Sequence, residues 1–393
     1  MPSTAEEGHG TERRGVGSGA GTGAASRRAP SRDERRIPAD LLQKLKEAGC
    51  VRMFVPESHG GLHLPLRTGL QVMEALARAD GAVGWTMMLA SESPHLFALM
   101  SRETFDAIYA NGPDVILAGG FSAQGQAHRQ ADGYEVTGKW AFATGCGHAD
   151  WLFGNCVVME DGKPRPGPAE GVPETRGMMF PAADARVLDT WRVLGLRGTG
   201  SHDIAVEGMS VPSAHSFDIF TGVPSIPSPH YVMPSLQCGL HMGAVAVGIG
   251  QGALDELIAL MQQGTKRLYA RSSTADSPVF QHRLGRADAA LRAARSALHE
   301  EAESLWQTAQ KDPPAVLGLM PRIMSSLAWI AETTAGVVDA CYSTAGGNAA
   351  RDSSPLQQRF RDIHTLAQHA GVADGWHLQS GLALLGRPVS FGF

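Results

Sequence analysis

Cysteine is scarce in this chain and gives no sign of pairing. Cys50, Cys146, Cys156, Cys238 and Cys341 form no CxxC pair and are odd in number. That argues against a disulfide framework and for reduced thiols in a cytoplasmic protein. The histidines are scattered, so no metal site is expected. A net charge of −5 leaves no basic excess for nucleic acid or an anionic membrane. No uninterrupted apolar run approaches the roughly 18 residues that span a bilayer, and the first residues lack the apolar core of a secretory signal. No GxxxxGK and no strand–GxGxxG–helix unit is present, so neither a Walker loop nor a nicotinamide fingerprint is expected.

What the chain does hold changes character along its length. Residues 1–32 are rich in Gly, Ser, Ala, Thr and Arg with almost nothing to bury, and read as a disordered tail. Residues 33–114 read as a helical domain. Leu41, Leu42, Leu45, Ala48 and Val51 recur at helical spacing, as do Leu70, Met73, Leu76 and Ala77. Residues 115–225 are punctuated by Gly and Pro around short strand-like runs such as Tyr134-Glu135-Val136-Thr137, and read as a β-domain. From 226 to 393 the helical period returns. Gly243, Ala244, Ala246, Gly248 and Gly250 give one helix a small-residue surface suited to close helix contacts at a subunit interface.

Four segments carry a resemblance. The run Val55-Pro56-Glu57-Ser58-His59-Gly60-Gly61-Leu62 resembles the P-E-x-x-G-G-L turn of the acyl-CoA dehydrogenase superfamily. Trp140-Ala141-Phe142-Ala143-Thr144-Gly145, running on to Ala149-Asp150-Trp151, resembles the flavin-facing loop of two-component (group D) flavin monooxygenases. Gly195-Leu196-Arg197-Gly198-Thr199-Gly200-Ser201-His202-Asp203 resembles a G-x-R-G-T-G-S-x-D element of the same enzymes. Gly346-Gly347-Asn348, Pro355 and Arg361-Asp362 match the dehydrogenases' G-G-N-G…P…R-D run. In that register the dehydrogenase's catalytic glutamate falls on Ala370, and His369 precedes it.

The resemblance covers residues 33–393. It implies an α+β, acyl-CoA dehydrogenase-like fold: an N-terminal helical domain, a central β-barrel domain and a C-terminal four-helix bundle. An acyl-CoA dehydrogenase needs a carboxylate beside the flavin to remove an α-proton, and Ala370 supplies none. The expectation is therefore a monooxygenase that takes reduced FMN from a separate flavin reductase. With O₂, through a C4a-hydroperoxyflavin, it would hydroxylate a small, aromatic or natural-product substrate. An FAD-dependent acyl-CoA dehydrogenase, an amine N-hydroxylase on the same scaffold and a catalytically inactive binding protein are the alternatives. FAD is the less favoured cofactor.

The resemblance also names residues. Thr144 is the expected acceptor for the flavin N5 proton; the competing reading is a strand-end residue bonding its own backbone. His369 is the expected acid/base, since imidazole titrates near neutral pH, against the plain reading of a hydrogen-bonded helix-end histidine. His95 is expected to face the same pocket. Trp140, Phe142 and Trp191 either stack on the flavin or fill the β-domain core. Gly145 and the Arg197, Thr199, Gly200, Ser201 element offer backbone and hydroxyls to a phosphate. Arg271 falls where the dehydrogenases carry an arginine that reaches flavin phosphates across a homotetramer. Here the continuation is Arg271-Ser272-Ser273-Thr274-Ala275, not R-x-x-F-G, which favours FMN.

Overall fold

Leu41 and Leu45 lie four residues apart on helix α2 (Ala39–Glu47), so both reach the same face, and both are buried. The computed structural model to which they belong describes residues 28–168, 170–264 and 273–389. A first helix, α1 (Arg28–Glu34), already begins inside the segment expected to be disordered, and Ser31 on it is buried. The Pro56–Leu62 turn needs both its glycines. Gly60 has φ +78°, and a Cβ on Gly61 would stand 2.0 Å from the Val55 carbonyl oxygen. Helices α3 (Leu66–Ala79), α4 (Gly81–Ser91), α5 (Ser93–Phe97) and α6 (Arg102–Ile108) follow. Asp80 caps α4, its Oδ1 accepting the Ala82 and Val83 N–H groups at 2.8 and 3.0 Å. Helix α4 is apolar on every side and sits in the interior.

The middle of the chain forms one eight-stranded sheet: β1 (Leu117–Arg129), β2 (Gly133–Ala143), β3 (Trp151–Glu160), β4 (Lys163–Pro164), β5 (Thr175–Pro181), β6 (Arg186–Leu188), β7 (His202–Pro212) and β8 (Ser216–Phe217). The strand order is β6-β7-β2-β1-β3-β5-β8, with β4 on β3. The β1–β3 pair is parallel and the other pairs are antiparallel. Trp140 is fully buried in this domain's core, its Nε1–H donating to the Asn155 carbonyl at 2.7 Å. Its ring lies over Gly125, Gly138 and Gly154, which have no side chain to obstruct it. Trp140 is therefore a core residue and not a flavin-stacking one, a correction with a simple cause: the indole points into the sheet's inner face.

Among the described residues, five α-helices close the chain: α7 (Pro234–Gln262), α8 (Pro278–Lys311), α9 (Met320–Ala345), α10 (Pro355–Leu366) and α11 (Gly375–Leu384). Helix α7 does have the length and hydropathy of a membrane span, as does the stretch Pro313–Ala350, so the absence of long uninterrupted apolar runs was too narrow a criterion. Two thirds of the α7 window (67%) is buried within the protein, as in a central core helix. Its small-residue surface is used inside the chain. A Cβ on Gly243 would meet Leu298 and Leu327, one on Gly248 the Glu74 backbone, and one on Gly250 Thr334 and Leu291. The small residues expected at a subunit interface therefore serve close helix contacts within one protomer.

Polar ties fix the helices to one another. Glu74 of α3 binds Arg295 Nε and His299 Nε2 of α8, both at 2.6 Å. Arg359 of α10 is buried and its Nη1 donates to the Ala77 carbonyl at 2.8 Å, satisfying the open carbonyl end of α3.

Candidate active site

Two loops of the β-domain meet one helix of each flanking domain. The first loop leaves β2 through Phe142 and Gly145, both left-handed (φ +65° and +71°), which turns Thr144 inward. The second runs from Trp191 to Ser201. Gly145 N–H donates to the Thr199 carbonyl at 3.0 Å, so the loops are joined by backbone as well as by side chains.

Three hydroxyls line the seam. Thr144 Oγ1 and Ser201 Oγ are 2.7 Å apart, and so are Ser201 Oγ and Thr199 Oγ1. Thr199 Oγ1 donates onward to the Leu196 carbonyl at 2.9 Å. Each hydroxyl has one hydrogen, so the direction of the chain follows. Thr199 spends its hydrogen on Leu196, Ser201 donates to Thr199, and Thr144 donates to Ser201. Thr144 Oγ1 then has two lone pairs. One takes the Trp85 Nε1–H at 3.3 Å, and one is left for an outside donor.

The Trp85 ring, carried by α4, meets His369 edge-on, with centroids 5.6 Å apart. His369 follows the end of α10 and caps a short 3₁₀ turn, its Nδ1 accepting the Gly371 N–H at 3.0 Å. Nδ1 being the acceptor, the neutral ring carries its hydrogen on Nε2, and His369 is a donor. His369 is exposed to solvent, yet the protein packed around it still desolvates the ring. That desolvation holds its pKa below the ordinary value, with Glu92 pulling the other way. Ala370, in the register of the dehydrogenase carboxylate, offers only its carbonyl, which takes the Trp376 indole N–H at 2.9 Å.

The second loop is anchored to α10. Gly195 N–H donates to Thr365 Oγ1 at 2.9 Å and Leu196 N–H to Asp362 Oδ1 at 2.6 Å. Asp362 is buried, and burial followed by the neighbouring Asp80 raises its pKa to about 7. A small, open cleft lies beside this anchor, lined in part by Arg197, Gly198, Arg361, Asp80 and Asp362. The Nε atoms of Arg197 and Arg361 are buried without a partner.

The expected site residues thus separate. Thr144, Gly145, Thr199, Gly200, Ser201 and Trp191 come together, the Trp191 indole N–H donating to the Leu196 carbonyl at 3.2 Å. Phe142 stands 71% exposed, edge-on to Trp191. His369 joins them through Trp85. His95 does not: it is fully buried among Phe54, Tyr231, His230 and His241, with both ring nitrogens unpartnered. Burial, then His241 and His230, hold its pKa well below the usual range. Arg271 lies outside the described residues.

Trp85, Glu92, His230 and His241 were not singled out from the sequence. The one available signal was the three-residue spacing of Cys238 and His241 on an otherwise apolar helix. A spare hydroxyl lone pair in a buried seam, an exposed aromatic beside it and a left-handed glycine turn fit a flat, N–H-bearing ring system such as reduced flavin.

A helical domain, a sheet and a helical bundle with a hydroxyl-lined seam between them define an acyl-CoA dehydrogenase-like flavoprotein. Family models for the acyl-CoA dehydrogenase N-terminal domain and C-terminal domain match residues 22–100 and 240–374. An indole-3-acetate monooxygenase of Pseudomonas putida is 30% identical over 355 residues, 90% of this chain and 88% of that protein. The flavin-dependent monooxygenase oxygenase subunit HsaA of Rhodococcus jostii RHA1 is 28% identical over 91% of this chain and 94% of its own length. The crystal structure of 3-HSA hydroxylase from Rhodococcus sp. RHA1 superposes with a TM-score of 0.85 at 25% identity, covering 95% of this chain and 96% of that one. The chain belongs to the acyl-CoA dehydrogenase superfamily and, within it, to the flavin-dependent monooxygenases.

Proposed function

We propose that this chain is the oxygenase component of a two-component system that uses reduced FMN from a separate reductase, with O₂, to hydroxylate a small aromatic substrate. The observation that carries the reading is the free lone pair on Thr144 Oγ1, taken with Ala370 at the position where a dehydrogenase would need a carboxylate. Bound reduced flavin supplies the two electrons that let O₂ deliver one oxygen atom to the substrate. The protein's own part is to hold and exclude. Thr144 Oγ1 accepts a ring N–H and so keeps that proton from leaving early. His369 Nε2–H donates to developing negative charge. The buried wall of α4 keeps water from the seam.

FMN is favoured over FAD because the Arg271 segment lacks the R-x-x-F-G continuation. A homotetramer is the assembly we favour, built on α9 and α11. These helices leave Trp329, Leu378 and Leu384 exposed, an apolar surface suited to another copy.

The test mixes the flavin-free chain with photoreduced FMN or FAD and then O₂, in the presence of phenols and indoles. Substrate-dependent product with FMN, and tighter binding of reduced than oxidised FMN, is the expected result. Bleaching of oxidised flavin by acyl-CoAs under anaerobic conditions would instead make the chain a dehydrogenase. Light scattering near the 41.6 kDa of one chain would rule out the tetramer.

A further inference from the structure

Glu92, at the junction of α4 and α5, is 4% exposed, and His241 of α7 is fully buried. The Glu92 carboxylate lies 2.8 Å from His241 Nδ1. A carboxylate there takes the Nδ1 hydrogen, so Nε2 carries a lone pair. That Nε2 has no partner and no solvent. Leaving a buried polar atom unmet costs about 1–3 kcal/mol, which a hydrogen-bonding ligand at Nε2 would relieve. The ring is also held in place by parallel stacking on Phe54, at 5.0 Å and 5°.

The neighbour across from it is His95, with centroids 5.9 Å apart and planes at 83°. Both His95 nitrogens are unpartnered. Two imidazoles side by side, each with an unused nitrogen, match a group that donates one hydrogen bond and accepts another. Glu92, which holds His241, lies near enough to His369 for its charge to act on that ring. Met242, next to His241, lies so near the 369–371 turn that a Cβ on Gly371 would be 2.4 Å from its Cε.

We infer that His241 is the base that takes the proton from a weakly acidic hydroxyl or ring N–H of an aromatic substrate, with Glu92 as its positioning residue and His95 as the hydrogen-bond donor. The inference rests on the monooxygenase reading above. In the step, the substrate O–H bond breaks, its proton goes to His241 Nε2, and the electron pair stays on the substrate oxygen. Glu92 balances the imidazolium. The electron-rich ring that results is the better acceptor of an electrophilic oxygen atom, and the proton returns to the product. Among the described residues, Glu92, His95 and His230 lie close to His241, and Cys238 lies against Glu92; none is a permanent cation. Burial, then Glu92, keeps Cys238 a thiol.

The test titrates 4-nitrophenol by its absorbance, free and bound to the flavin-free chain. We expect binding to shift its titration to lower pH by about one pH unit or more, the effect of a nearby balancing charge. His241→Gln, which retains a donor to Glu92, and Glu92→Gln should each abolish that shift. No binding, no shift in the wild type, or an equal shift in folded His241→Gln would each overturn the proposal. The wild-type arm decides it even if a variant does not fold. With reduced FMN and a hydroxylated substrate, His241→Gln should lower product about 10²-fold or more while O₂ uptake persists. If the wild type forms no oxygenated product with reduced flavin and O₂, the monooxygenase reading falls, whereas the nitrophenol shift tests His241 without flavin.

Discussion

The Leu196 N–H donates to Asp362 Oδ1 at 2.6 Å, tying the β-domain loop that carries Thr199 and Ser201 to a helix of the C-terminal bundle. The same Leu196 presents its carbonyl to Thr199 Oγ1 and to the Trp191 indole. One peptide unit thus relays the position of α10 to the hydroxyl chain ending at Thr144.

Asp362 is held above its ordinary pKa of 3.8, at about 7, by burial and by Asp80. A carboxyl whose folded pKa is raised gives its stabilising contribution fully below the unfolded value, and that contribution is lost as pH rises through the folded one. Stability should therefore fall between about pH 4 and pH 7, each pH unit being worth about 1.4 kcal/mol at most. Asp362→Asn keeps an acceptor for Leu196 and removes the ionisation, so its urea-unfolding free energy should be flatter over that range. An unchanged pH slope in Asp362→Asn would show that this carboxyl is not the source.

Thr144→Val conserves shape and removes the hydroxyl. With reduced flavin it should release about tenfold or more hydrogen peroxide per product formed, while Thr144→Ser restores coupling. Trp85→Phe keeps a ring against His369 and loses only the Nε1–H to Thr144. One neutral hydrogen bond is worth about 0.5–1.5 kcal/mol, so its effect should be roughly two- to tenfold. Peroxide and product yields, measured side by side, give the ratio.

Gly195 touches α10 so closely that a Cβ would lie 2.0 Å from the Arg361 carbonyl oxygen. Backbone cannot yield as a side-chain tip can, so Gly195→Ala should cost about 2 kcal/mol or more and loosen flavin binding. Gly147→Ala, where nothing lies within 4 Å, should stay within about 0.5 kcal/mol of wild type. Thermal melts of both variants decide whether the clash or a general loop effect is at work.

Much of this was legible in the sequence, for identifiable reasons. The P-E-S-H-G-G-L turn and the Gly195–Ser201 element show themselves because backbone that turns or touches backbone demands glycine at fixed places. Helical and strand periods separated the three regions. Trp140 misled because an aromatic in a flavin-facing motif and an aromatic in a sheet core look alike in one dimension, and only Gly125, Gly138 and Gly154 beneath it reveal its direction. The stripe from Gly243 to Gly250 suggested an interface for the same reason: small residues announce a close neighbour without saying whose. Glu92 and His241 escaped notice because they are 149 residues apart and meet only when α7 packs beside α4.

On the function proposed above, His369 is the acid of the reaction, and its hydrogen bond says how it would act. The Gly371 N–H occupies Nδ1, so the ring offers Nε2–H and acts as a donor, opposite in sense to His241. His369→Ala should fold and bind reduced flavin but lose product formation about 10²–10⁴-fold, the usual worth of a positioned acid. Oxygen uptake should persist, with the reducing equivalents recovered as hydrogen peroxide. Because burial lowers the pKa of His369, the Gly371 contact survives below the ordinary histidine range. Coupling should stay level from neutral pH down past 6.5 and drop only in more acidic buffer, where Nδ1 gains a proton and the Gly371 N–H loses its acceptor. Product per reduced flavin, followed across that range, checks both points. Wild-type coupling in His369→Ala would reduce His369 to a cap on its own 3₁₀ turn and move the acid of the reaction elsewhere.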